Sequence, residues 1–196
     1  IGYKLAEGGL ERVFGTTTQM LHEAGIDIHT IVLEDKIIYE FGGKLISFGT
    51  YSKFVKYFKL ASYLKVQQFD YVIDFRHRIN PKMEWLFLNF IYRNLKFIYT
   101  IHSSRLETYL TENNWIAKQI LKKTTKIVVV SNFIKVKIES KFGPSSIEVI
   151  SNSISKPTFL NKEKLDFEYI ISVGRLVPLK QFDKLIESYS QSNLPK

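Results

Sequence analysis

The 196-residue chain has room for one complete domain and a remainder, because domains usually run about 100–200 residues. Hydrophobic residues at 45% and charged residues at 24% match an ordinary globular protein, and no run approaches the ~18 apolar residues of a membrane span. The chain holds no cysteine, which excludes disulfides and thiolate metal sites, while its formal charge of +9 favours an anionic partner: nucleic acid, an acidic membrane face or a phosphorylated substrate.

The first residues lack the basic, apolar and small-residue pattern of a signal peptide. A first strand would have to end near Tyr3 and so reads as clipped. Leu10, Val13, Phe14, Thr17, Leu21 and Ala24 recur at helical spacing with Gly25 as the stop, which predicts an amphipathic helix over residues 10–24. Short β-branched or apolar runs follow at Ile28 to Leu33, Tyr71 to Phe75, Lys96 to Ile101, Lys126 to Ser131 and Ile147 to Ile150, with helical stretches between most of them. Nearly continuous apolar strands that alternate with helices predict an α/β, doubly wound, Rossmann-like parallel sheet covered on both faces.

After Ile150 the periodicity lapses, and residues 156–167 read as an interdomain linker after a first domain of residues 1–155. A strand at Tyr169 to Val173, then Gly174 and a helix from about Gln181 to Gln191, predict the opening βα unit of a truncated second Rossmann-like domain, residues 168–196. No short repeat or low-complexity tract is present.

Several residues can carry chemistry. Gly8 and Gly9 stand between the clipped strand and the first helix, where backbone N–H groups and the helix N-terminus can approach a phosphate; a tight turn is the alternative role. GGLER lacks the three glycines of a dinucleotide fingerprint, and no Gly-Lys-Ser/Thr follows to make a P-loop. His102 follows a strand at the carboxyl edge, where open α/β sheets place ligands, with Ser103 and Ser104 extending the polar tip. Its imidazole can donate to a sugar hydroxyl or satisfy local backbone groups. His22, His29 and His77 have weaker settings: a last helical turn, a strand, and a place between two arginines.

Those arginines, Arg76 and Arg78, can bind phosphate or an acidic acceptor, but a solvated basic loop is the expected reading. Arg175 and Lys180 flank a short loop before the last helix, so both cations can face one diphosphate leaving group. Lys53, Lys56 and Lys59 share one side of a helix over residues 51–68, while Phe54, Tyr57, Phe58, Ala61 and Leu64 group on another. Such a helix either lies on an anionic membrane or packs its apolar stripe on the core.

Taken in order, GGLERV at 8–13, TIHSS at 100–104, VSNFIKVKI at 130–138, IEVISNSI at 147–154 and VGRLVPLKQFDKLIESY at 173–189 resemble glycosyltransferase family 4. The resemblance implies a GT-B fold, with acceptor held mainly by the first Rossmann-like domain and sugar nucleotide mainly by the second. It implies donor-phosphate contacts from Gly8, Gly9, Arg175 and Lys180, and a place for His102 near the donor sugar. It also implies a retained anomeric configuration and no metal or other cofactor. Apart from the resemblance, the charge of the helix makes Lys53, Lys56 and Lys59 the residues that would face a membrane, with core packing of the helix as the alternative.

The expected enzyme is a hexosyltransferase-type glycosyltransferase that moves sugar from a nucleoside-diphosphate sugar to a glycan or polyprenol-linked acceptor. Its expected setting is surface polysaccharide synthesis, cytoplasmic and peripheral at the inner face of the cell membrane, with no nucleic-acid partner. Where the family has Pro-Asn-Gly, this chain has Ser151, Asn152 and Ser153, and Gln181 replaces the glycine that usually follows the lysine. The family's paired glutamates would lie beyond Lys196, so residues 1–196 alone are not expected to turn over. The rival readings are a non-catalytic Rossmann-like module that binds an anionic polymer or partner protein, and phosphorylase or epimerase chemistry on the same kind of fold.

Overall fold

The computed structural model describes residues 1–152 and 169–192. Contacts divide the chain into two units, Ile1–Ile154 and Ser155–Lys196. The expected linker at 156–167 lies outside the described residues.

In the first unit, helix α1 (Gly9–Glu23) leads to strands β1 (His29–Val32) and β2 (Lys44–Ser47), then helix α2 (Lys53–Gln67) and strand β3 (Val72–Asp74). Helix α3 (Pro81–Leu86) runs into a π-helical turn, Phe87–Ile91, before strand β4 (Phe97–Ile101). Helices α4 (Glu107–Leu110) and α5 (Asn114–Lys123), strand β5 (Lys126–Val129), helix α6 (Asn132–Phe142) and strand β6 (Ile147–Val149) complete it. The second unit has a 3₁₀ turn, Pro178–Lys180, and helix α7 (Phe182–Ser190).

All strand pairs are parallel, in two ladders: β1 with β2, and β3-β4-β5-β6. The extreme N-terminal residues bridge them. Ile1 N donates to Ile73 O at 2.7 Å and Phe75 N donates to Ile1 O at 2.8 Å, while Gly2 N donates to Ile31 O at 3.0 Å and Leu33 N to Gly2 O at 3.2 Å. Ile1 and Gly2 therefore occupy the central strand position, and the spatial order runs β2, β1, residues 1–2, β3, β4, β5, β6.

The sheet is buried on both faces, as a doubly wound fold requires. Ile31 and Leu33 join the large core cluster, whereas Val32 between them joins Leu5, Phe14 and Phe75 in a second one. Alternate residues of one strand thus feed two cores. Unit 1 is an α/β, Rossmann-like domain, as the periodicity predicted.

Local chemistry sets the ends of the helices. Gly25, at φ 82°, closes α1 as its N–H donates to His22 O and Ile26 N–H donates to Leu21 O, a Schellman arrangement that satisfies the last carbonyls. Asn80 accepts from the Lys82 and Met83 amides to start α3, Asn113 accepts from Ile116 to start α5, and Ser131 accepts from Ile134 to start α6.

One sequence expectation changes, one strand was missed and one open question is decided. Strand β2 was not legible, because Lys44–Ser47 is only four residues and only partly buried. Tyr169 to Val173, expected as a strand, take no strand conformation and are exposed, while a strand in a sheet needs a neighbouring strand to satisfy its backbone. Phe54 and Phe58 do not pack on the core with Tyr57 and Leu64; Leu60 and Leu64 are the buried residues of α2.

Candidate active site

The carboxyl ends of β3 and β4 and the N-terminus of α1 carry the predicted residues of unit 1. Gly8 is the N-cap of α1, in extended conformation, and its carbonyl accepts from Arg12 N at 3.1 Å. A Cβ on Gly8 would stand 1.8 Å from Glu11 Oε2, whereas one on Gly9 would meet nothing within 4 Å. The two glycines therefore differ: Gly8 makes room for the Glu11 carboxylate folded back over the helix start, and the space beside Gly9 is open.

Just before them, Glu7 takes a left-handed φ of 67°, and Lys36 and Lys4 hydrogen-bond its carboxylate. Those two hydrogen bonds hold its pKa at about 2.

His102 directly follows β4. Its ring stacks at 5.9 Å on Phe75, which itself lies 5.1 Å from Phe14 of α1. Tyr109 of α4 sits 6.4 Å away on another side, with His77 at 5.2 Å beyond it. Burial lowers the imidazole pKa to about 4; Asn152 opposes that shift, and Arg78 and His77 reinforce it. The ring is neutral near pH 7. Neither Nδ1 nor Nε2 makes a well-formed hydrogen bond, although both are buried and the Asn152 side chain lies near enough to favour the charged ring. A neutral imidazole with unused polar atoms at a sheet's carboxyl edge is equipped to donate to, or accept from, a ligand hydroxyl.

The loop beyond is anchored rather than loose. Ser103 Oγ accepts from Arg105 N at 3.2 Å, and Lys137 of α6 donates to Ser104 O at 2.8 Å. Tyr109, whose hydroxyl pKa is pushed up to about 12 mainly by burial, stays protonated and can act as a donor.

Arg76 and Arg78 are not a solvated loop. Both are fully buried. Arg76 Nη2 donates to Asp74 Oδ2 at 2.7 Å, Nε donates to Asp74 Oδ1 at 3.1 Å, and Nη1 donates to Glu84 Oε1 at 3.3 Å. Arg78 Nη2 donates to Asp74 O at 2.6 Å and Nη1 donates to Thr100 O at 3.3 Å.

Aromatic faces complete the cage, with Arg76 3.4 Å from the Phe87 centroid and Arg78 3.7 Å from that of Tyr99. Two arginines against Asp74 and Glu84 leave the cluster neutral if both acids ionise. Burial alone would raise the Asp74 pKa, but Arg76 and Arg78 outweigh it and hold the carboxyl at about 2. Glu84 moves the other way, because burial exceeds the pull of Arg76. This network fixes the backbone that presents Phe75 and His77, and its arginines are committed internally rather than offered to phosphate.

The remaining predicted residues are described in their own settings. Lys56 donates to the Leu33 carbonyl oxygen, Lys59 lies 4.7 Å over the Tyr51 ring, and Lys53 opens α2 exposed to solvent. In unit 2, the Arg175 carbonyl accepts from Val177 N at 2.8 Å and Lys180 N donates to Val177 O at 2.9 Å, which winds the turn that carries both cations. Gln181, where the family has glycine, adopts a left-handed φ of 53°. Ser153 lies outside the described residues.

The model of glycosyltransferase family 4 matches residues 7–156, from the turn before Gly8 to beyond β6. The chain belongs to glycosyltransferase family 4. No curated protein matches it. Within this family-4 chain the matched residues include Gly8, Gly9 and His102, and they stop before Arg175 and Lys180. Sequence reasoning placed His102 correctly at a strand end, and it passed over Phe75, Glu11 and Tyr109. Their signal was weak, since each reaches the site from a different element.

Proposed function

We propose that this glycosyltransferase takes a nucleoside-diphosphate sugar and transfers the sugar, with retention of anomeric configuration, to a glycan or polyprenol-linked acceptor of surface polysaccharide synthesis. The single observation that supports this best is the neutral imidazole of His102, its ring nitrogens buried and without a well-formed hydrogen bond, at the carboxyl edge of a family-4 sheet. In this reading His102 orients a donor-sugar hydroxyl. The open backbone at Gly9, behind the Gly8 cap, and the cations Arg175 and Lys180 stabilise the departing diphosphate as its bond to the sugar lengthens. The acceptor hydroxyl attacks from the face the leaving group vacates, and its proton passes to the departing phosphate oxygen.

No metal is required in this proposal. The acceptor is presented at an anionic membrane face near α2. Among the described residues, no helix is long and apolar enough to cross a membrane, so contact with lipid would be peripheral.

A donor screen on the enzyme containing this chain, with NMR of the product anomer, tests the reading. Transfer from one sugar nucleotide, persisting in EDTA, with a roughly 10²–10³-fold loss in His102→Ala and a comparable loss in Arg175→Ala, is expected. Normal rates in both variants would overturn the site assignment, and an inverted product would overturn the mechanism.

A further inference from the structure

Helix α2 turns an apolar face to solvent. Phe54 and Phe58 are 89% and 77% exposed, and Val66 is 71% exposed, although Leu60, Leu64 and the Tyr57 ring on Phe87 already fill the inward side. The core gains nothing from these residues. Helical spacing puts Lys65 seven residues after Phe58 and Lys59 four after Val55, so cations alternate with the apolar residues on one surface.

The helix carries four lysines and no acidic residue. Lys53 stands in its first turn, where the positive helix end disfavours a cation. The charge is therefore not arranged for the helix's own stability. The π-helical turn packs against α2, and its Phe90 forms a second exposed aromatic pair with Trp85 of α3, 5.5 Å between centroids.

We propose that α2 is a bilayer-docking surface: Phe54 and Phe58 enter the interfacial region of an anionic membrane while Lys59 and Lys65 engage its headgroups. This rests on the reading of a membrane-presented acceptor and names the residues that meet the lipid. Of the three lysines expected at a membrane, Lys53 heads the inward stripe of Leu60 and Leu64 and the Lys56 ammonium is used on Leu33 O, so Lys65 joins Lys59 instead. Charge chooses the occupant. A second copy docked face to face would bring like-charged lysines together, whereas anionic headgroups neutralise them. Nucleic acid would supply charge but give Val55 and Val66 no apolar phase to enter.

Vesicle co-sedimentation of the full chain tests this, with phosphatidylcholine alone and phosphatidylcholine mixed with phosphatidylglycerol. Salt-sensitive binding to the mixed vesicles is expected. It should fall about tenfold or more in Phe54→Ser/Phe58→Ser, and about tenfold or more in Lys59→Glu/Lys65→Glu, with unchanged circular dichroism.

Because the chain lacks cysteine, Phe58→Cys and Glu23→Cys can each be labelled uniquely with an environment-sensitive dye. Only the first should shift to the blue on mixed vesicles, a readout that survives even if the serine variant folds poorly. Equal binding to both vesicle types, no dye shift at position 58, or a soluble dimer that the Phe variant dissociates would overturn the proposal. No sugar nucleotide enters the assay, so a negative result here leaves the transfer reading standing, and a failed donor screen leaves this one standing.

Discussion

His102 couples stability to pH through a pKa near 4 against an ordinary 6.5. As pH falls below 6.5 the unfolded chain binds the proton first, so the ring's contribution to stability is intact above about 6.5 and declines toward 4. The expected loss over that window is on the order of 1–3 kcal/mol. Urea melts at stepped pH check it: the difference between wild type and His102→Gln should carry this slope, and a flat difference would contradict a buried neutral imidazole. Asp74 shows the opposite sign. Its pKa of about 2 lies below the ordinary 3.8, so its contribution is present above about 4 and lost as pH falls through 2. Asp74→Asn removes the buried negative charge that faces Arg76 and Arg78 and one of the two carboxylate acceptors of Arg76, and should cost about 3–5 kcal/mol at neutral pH, read as a lowered urea midpoint. The sequence motif DFRHR looked like a basic loop because it does not reveal that Glu84, Tyr92 and Tyr99 close around it from other elements.

At the scale of elements, the ends of helices were the most legible feature. Gly25 stops α1 because a residue tolerant of positive φ lets both closing bonds form. The same physics marks Gln181 as out of place: a non-glycine side chain in the left-handed region before α7. Gln181→Gly should stabilise that helix start by about 0.5–1 kcal/mol, measured as slower hydrogen exchange in the α7 amides. Faster exchange would show that the glutamine side chain makes a compensating contact. The amphipathic pattern of α2 was half legible. Period placed Leu64 inward, but it could not tell which of the flanking aromatics the core had room for, and Phe54 and Phe58 were left outside.

For the whole molecule, the contribution of Ile1 to Tyr3 is out of proportion to its length. Their backbone groups bond to β1 on one side and β3 on the other, so they join two ladders that touch through them. Deleting these three residues should abolish cooperative thermal unfolding of unit 1, followed by circular dichroism; a sharp transition near the wild-type temperature would mean that β1 and β3 can pair directly. Local pattern was enough to determine the βα alternation, the parallel two-faced sheet, the family and the placing of His102 at a strand end, because hydrophobic period, glycine position and motif order are properties of neighbours along the chain. The tertiary structure alone decided that Arg76 and Arg78 are internal, that His102 is neutral between Phe75 and Tyr109, and that two phenylalanines of α2 face solvent. Burial and charge compensation arise from residues far apart in sequence, and nothing in the spacing of side chains along one element records which distant groups will surround it.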